Sequence, residues 1–222
     1  VTTPTEHYRG QREALTGLYG GLGAADLTRA VHGCPAWQVK DVLAHLVGVP
    51  VSLRTGDMAD AGSTAWTQRQ VEAARDTSVQ QLLDDWGEEG PAFEEGLADK
   101  GFLGWVFTYD VTMHGDDVLE ALGLPLGSTP THALVLDGII DRARPRAEGL
   151  GTLTLNAGTL NAGDRSWTLG EGGPVATLTV ADEGELARVI GGRRSDDVVR
   201  GLDWTGDPEP WIPVLPLFRS GR

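Results

Sequence analysis

The 222 residues, 40% of them apolar, are enough for one large core or two small ones and exclude a disordered chain. With 18 Lys and Arg against 32 Asp and Glu the formal charge is −14, so long-range electrostatics carry the wrong sign for nucleic acid or an anionic membrane surface. No apolar run approaches the roughly 18–20 residues of a membrane span, residues 1–10 carry no signal-peptide pattern, and Cys34 is the single cysteine. A cytoplasmic protein is expected, with no internal disulfide and no Cys-based zinc cluster, so that any metal must draw on His, Asp or Glu.

In chain order, Pro4 and Thr5 open a first helix that carries Tyr8, Leu15 and Leu18 and stops at Gly20, Gly21 and Gly23. A second follows Cys34 and Pro35, with Val39, Val42, Leu43, Leu46 and Val47 at helical spacing, and Pro50 kinks or ends it. A helix over 67–75 comes next, then one capped by Ser78 that carries Leu82, Leu83 and Trp86. The fourth strong helix spans 102–122 and is stopped by Gly123 and Pro125, and a further one spans 131–144. Beyond Pro145 the period falls to two. Strands are predicted over 152–155, 166–169 and 175–180, short helices over 183–190 and 196–202, and a strand or extended segment over 202–204. The pentapeptide Thr-Leu-Asn-Ala-Gly occurs twice, over 154–158 and 159–163, which is hairpin scale rather than a solenoid. The reading is an α+β chain: a helical bundle over 1–146 and a small α+β layer over 147–222.

Chemistry concentrates on the 102–122 helix. At 100° per residue, Phe107, Val111, Val118, Ala121 and Leu122 share a face; His114 falls inside it, with Asp110 and Asp117 at its border. Asp110 and His114 stand four apart, so their side chains stack on adjacent turns and reach one ion or one proton. The plainer alternative is that Asp110 orients His114 in a satisfied buried hydrogen bond. His45, at the edge of the second helix's apolar stripe between Val42 and Val49, offers a third ligand from another helix. Three ligands with a position left for water or substrate describe a Lewis-acid site, and a packed helix histidine is the alternative for His45. Cys34 reads as a small buried hydrophobe, His32 and His132 as structural residues near helix starts, and Trp37, Trp86 and Trp105 as core. Glu88-Glu89 and Glu94-Glu95 read as a solvated face, and Gly20-Gly21-Leu22-Gly23 lacks the preceding strand of a phosphate loop.

Three stretches, the run from Cys34-Pro35-Ala36-Trp37 to Ala44-His45-Leu46, Trp66-Thr67-Gln68-Arg69-Gln70-Val71, and Asp110-x-x-x-His114-x-x-Asp117 before Ala121-Leu122-Gly123, resemble the mycothiol-dependent maleylpyruvate isomerase family of actinobacteria. Gly192-Arg193-Arg194-Ser195 and Leu202-Asp203-Trp204-Thr205-Gly206-Asp207-Pro208 match that family's C-terminal signature. The resemblance implies a DinB-like four-helix bundle that binds a divalent metal, zinc as a rule, followed by a smaller α/β sterol-carrier-like domain. It places metal ligands at His45, Asp110 and His114, and assigns Asp117 to orienting a ligand. An anionic substrate falls to a C-terminal arginine among Arg193, Arg194, Arg200 and Arg219; Arg194 is given the catalytic role, and Trp66, Arg69 and Arg193 are given to substrate binding. Asp110 stands where the best-known isomerase has Glu, and Gly115-Asp116 follows His114 where relatives carry Glu-His.

The function implied is a metal-dependent enzyme in which a low-molecular-weight thiol, mycothiol, attacks a small electrophile. The outcome is cis-trans isomerisation of a maleylpyruvate-like compound or S-transfer to a conjugate. The competing expectations are a non-catalytic metal- or small-molecule-binding protein, such as a sensor or a sequestering resistance protein, and a bundle that has lost its site. No nucleic-acid or membrane partner is expected.

Overall fold

The computed structural model describes residues 3–158 and 165–217. Contacts divide the chain into two compact units, Val1–Pro125 and Leu126–Arg222. The first contains α1 (Pro4–Gly20), α2 (Ala24–Leu27), α3 (Val39–Thr55), α4 (Thr64–Ala73), α5 (Val79–Glu95) and α6 (Phe102–Leu122). Thr3 opens α1 through a reciprocal capping box with Glu6, ahead of Pro4 in the first turn. Ser63 and Ser78 accept backbone N–H bonds at the starts of α4 and α5. α1 packs against α5 and α6, and α3 packs against the same two helices, so the four long helices close a ring, with α4 laid on α3. Val42, Leu43, Leu46, Trp86 and Val111 are fully buried inside that ring, the core that the apolar spacing predicts.

Pro50 does not end α3. The helix continues to Thr55 and closes at Gly56, whose φ of 80° suits glycine and whose N–H reaches the Ser52 carbonyl. The lost backbone bond is offset by the burial of side chains on both sides of it, Leu46, Val47 and Val49 before Pro50 and Ser52 after it.

Of the acidic pair Glu94-Glu95, Glu95 is exposed as expected, but Glu94 is not. Glu94 is 1% exposed and accepts Nε–H bonds from Arg9 at 2.8 Å and Arg12 at 2.6 Å. Gly90, one turn earlier on α5, makes room for this pairing, since a Cβ there would stand 2.7 Å from Arg12 Nε.

The second unit holds α7 (Pro130–Ile139), β1 (Thr152–Ala157), β2 (Arg165–Gly170), β3 (Pro174–Val180), α8 (Glu183–Ile190), α9 (Asp196–Arg200) and β4 (Asp203–Thr205). The sheet order is β2-β1-β3-β4, with β1 antiparallel to β2 and parallel to β3, and β4 antiparallel to β3. Leu153, Leu155 and Ala157 of β1 alternate inward with Leu178 and Val180 of β3, and α8 covers them with Leu186, Val189 and Ile190. The helix expected over 131–144 ends at Ile139 and continues as short 3₁₀ turns. By its contacts it falls in this unit, which begins at Leu126, and α7 packs on α8. The tail over 202–204 is an edge strand, β4. The second pentapeptide copy and Arg219 lie outside the described residues. Among the described residues no helix is long and apolar enough to cross a membrane.

Candidate metal centre

The side chains that sequence reasoning singles out on α3 and α6 converge inside the first unit. α6 stacks Asp110 under His114, and α3 brings His45 across to them. His45 Nε2 lies 3.2 Å from Asp110 Oδ2, and His114 Nε2 lies 3.6 Å from Asp110 Oδ1. One ligand atom from each of the three falls within 4.8 Å of the other two. The two imidazole rings meet edge to face with centroids 5.0 Å apart. Their side chains are 2% and 7% exposed against 30% for Asp110, so the carboxylate is the wet side of an otherwise dry cluster.

Hydrogen-bond partners assign both tautomers. Gln70 of α4 places Oε1 at 2.6 Å from His45 Nδ1, so that nitrogen carries the proton and donates it. Asp117, 2% exposed, places Oδ2 at 3.0 Å from His114 Nδ1 and accepts from it in the same way. Both Nε2 lone pairs are thereby turned toward the Asp110 carboxylate, itself an acceptor. Acceptors facing one another in a dry site call for positive charge, supplied as protons on the rings or as one divalent cation that also balances Asp110 and Asp117. The donor set suits a cation. Two ligands of a tetrahedral ion at ~2.0–2.2 Å stand roughly 3.3–3.5 Å apart, close to the 3.2 and 3.6 Å seen here. The partners on Nδ1 are the outer hydrogen bonds that metal-binding histidines ordinarily make.

The segment before α3 walls the cluster. The backbone bonds from Val31 N–H to the Trp37 carbonyl, from Trp37 N–H to the Cys34 carbonyl and from Val39 N–H to the Arg29 carbonyl tie the 29–39 loop into a clasp. Trp37 sits with its ring 5.2 Å from His45 and 5.6 Å from His114. Trp37 is therefore both core, as expected, and a wall of the site. Cys34 is not the buried hydrophobe that its sequence context suggests. It is partly exposed, and its thiol donates to Asp117 Oδ2 at 3.9 Å, forming with His114 and Asp117 a second group of candidate ligands. His32 is exposed. Burial pushes the phenol of Tyr8 well above its ordinary pKa, and the negative charge of Asp110 adds to the effect.

Trp66 is buried, its indole N–H donating to the Asp57 carbonyl at 2.7 Å and its ring standing edge-on to His45 at 6.2 Å. It packs behind the centre as part of the core. Arg69 is held by Asp60 and Asp57 at 2.7 and 3.2 Å, which draws the Asp60 carboxyl down to about 2, chiefly through the guanidinium hydrogen bond, and raises the Arg69 pKa. A depressed carboxyl pKa contributes stability above the unfolded-state value, and that contribution is lost as pH falls through about 2. Arg69→Ala is therefore expected to return the Asp60 titration toward ~3.9, read by the carboxyl ¹³C shift, and to lose stability at neutrality by a small amount only, because both partners are exposed and screened.

Arg193 and Arg194 belong to the second unit. Arg194 grips Glu185 with Nε at 2.8 Å and Nη2 at 2.9 Å, and Arg193 donates to the Gly191 carbonyl at 3.2 Å. Burial raises the Glu185 pKa, but hydrogen bonds and charge from Arg194 and Arg188 outweigh it, leaving the carboxyl below its ordinary value.

Gln70 is the site residue that sequence reasoning missed. Its signal was available: Gln70 is four residues after Trp66 on one helix, so both side chains point to the same neighbour. The family described as mycothiol maleylpyruvate isomerase N-terminal domain matches residues 8–123, a span that contains every residue of the cluster. No curated protein matches the chain, and no solved structure does.

Proposed function

The chain belongs to the family of the mycothiol maleylpyruvate isomerase N-terminal domain, and from that premise we propose that it is a metal-dependent enzyme using mycothiol as a thiolate nucleophile. The observation that carries this reading is the convergence of two histidine lone pairs on the Asp110 carboxylate, each ring fixed by a partner on its other nitrogen. His45, Asp110 and His114 hold the ion, and zinc is the ion we assign. Asp117 keeps His114 in the required tautomer. Bound there, a divalent cation supplies Lewis acidity that lowers the pKa of a thiol and presents a thiolate at neutral pH. Trp37 and Trp66 exclude water from the histidines, while the exposed edge of Asp110 leaves the approach for thiol and substrate.

With a maleylpyruvate-like substrate, the sulfur forms a C–S bond to the activated alkene and the alkene electron pair moves into the adjacent carbonyl as an enolate. Rotation follows about the new single bond. Return of the electron pair expels the thiolate and leaves the trans alkene, so nothing is consumed. If the adduct is protonated on carbon instead, the sulfur stays attached and the reaction is an S-transfer. The assignment of Arg193 and Arg194 to an anionic substrate rests on resemblance, and Arg193→Ala is expected to raise KM more than it lowers kcat.

The test is turnover of maleylpyruvate by the metal-loaded protein with and without mycothiol, with products identified by mass spectrometry. Catalytic formation of a trans isomer or a thiol conjugate only when the thiol is present is the expected result. Stoichiometric ligand capture with no product overturns the enzyme reading in favour of a binding protein.

A further inference from the structure

His45 reaches Asp110 from a different helix, so something must hold its ring in register, and the stripe of α3 that faces α4 shows what does. Residues 45, 48 and 52 recur at helical spacing as His45, Gly48 and Ser52, and Gln70 lies across all three. Gln70 is 7% exposed. Its Oε1 accepts the His45 Nδ1 proton at 2.6 Å while its Nε2 donates to Ser52 Oγ at 3.0 Å. The Ser52 bond anchors the far end of the amide, and with Nε2–H donating to the hydroxyl it is Oε1 that faces His45. Gly48 gives the amide its place: a Cβ there would stand 2.7 Å from both Cβ and Cγ of Gln70, atoms too close to the α4 backbone to swing aside.

We propose that Gln70, admitted by Gly48 and anchored by Ser52, is a positioning residue that holds His45 as its Nδ1–H tautomer and thereby sets the affinity of the centre for a divalent cation. The inference rests on the reading of His45, Asp110 and His114 as ligands. Gln70 touches neither Asp110 nor His114 in the described hydrogen bonds; it acts only through His45. An apolar residue of the same length leaves the ring packed but lets its proton sit on Nε2, where it opposes the cation. A carboxylate keeps an acceptor on Nδ1–H.

The experiment is a zinc titration of the metal-free protein against a chromophoric chelator, with the melting temperature of each metal-free variant measured alongside. Gln70→Met is expected to weaken zinc binding by ~10–100-fold, the usual cost of removing an outer-shell partner, and Gln70→Glu to recover most of that loss. Ser52→Ala, which frees the amide to turn, is expected to weaken binding in the same direction by less. Gly48→Ala is expected to resemble Gln70→Met in affinity even though it leaves every hydrogen-bonding group in place. A purely structural Gln70 would lower the melting temperature of the metal-free protein and leave zinc affinity unchanged. If wild type binds zinc, His114→Ala does not, and Gln70→Met binds as tightly as wild type, the inference is overturned and the ligand reading stands. If wild type takes up no zinc, both are overturned.

Discussion

Glu94→Ala is expected to destabilise the first unit by ~3–5 kcal/mol, the cost of removing one partner of a buried ion pair. The carboxylate is 1% exposed and Arg12 is 12% exposed, so the substitution leaves a guanidinium in a dry environment with nothing to neutralise it. Arg9, at 46%, can turn to water and contributes little to the loss. Urea denaturation followed by circular dichroism measures the change as a shift in midpoint with unchanged slope. Pairing Glu94→Leu with Arg12→Met separates charge from packing, because an apolar pair of similar volume is expected to recover most of the stability. A midpoint within experimental error of wild type for Glu94→Ala would mean that the pair is solvated in solution.

His114→Ala is expected to weaken divalent-metal binding by more than ~100-fold, beyond the range for outer-shell changes, because it removes one of three protein ligands. It also leaves the 2%-exposed Asp117 without its imidazole partner, so the metal-free variant is expected to melt below wild type. Asp110→Ala removes a ligand whose side chain is 30% exposed and is expected to lose the metal with little effect on the melting temperature. That contrast distinguishes a metal site from a buried hydrogen-bond network: in a network the more exposed residue matters least for everything, whereas in a metal site it matters as much as the others for binding.

The long helices were legible because their apolar residues recur at helical spacing and their ends carry strong signals, Ser78 before α5 and Gly123 after α6. The Asp110 and His114 pair was legible for the same reason, since a helix turns i and i+4 to one side. His45 could be placed on a core-facing stripe, but periodicity says nothing about which helix that stripe meets, and the family resemblance carried the remaining step. Pro50 does not end α3, because a propensity for ending helices yields where Val49, Pro50 itself and Ser52 are buried. Glu94 misled because its two arginine partners lie more than 80 residues away, and a local pattern of adjacent glutamates looks identical whether solvated or paired. Cys34 and Trp37 needed the clasp over 29–39, whose backbone bonds have no sequence period. The helix expected over 131–144 is a helix over Pro130–Ile139, and its neighbour, α8, could not be foreseen because helicity does not reveal what a helix packs on.

The most direct test of the centre is elemental analysis of untagged wild-type protein beside Asp110→Ala, both purified and dialysed against a mild chelator. The account predicts close to one divalent metal per chain in wild type and none in the variant. A metal-free wild type whose melting temperature is unmoved by added zinc would contradict it.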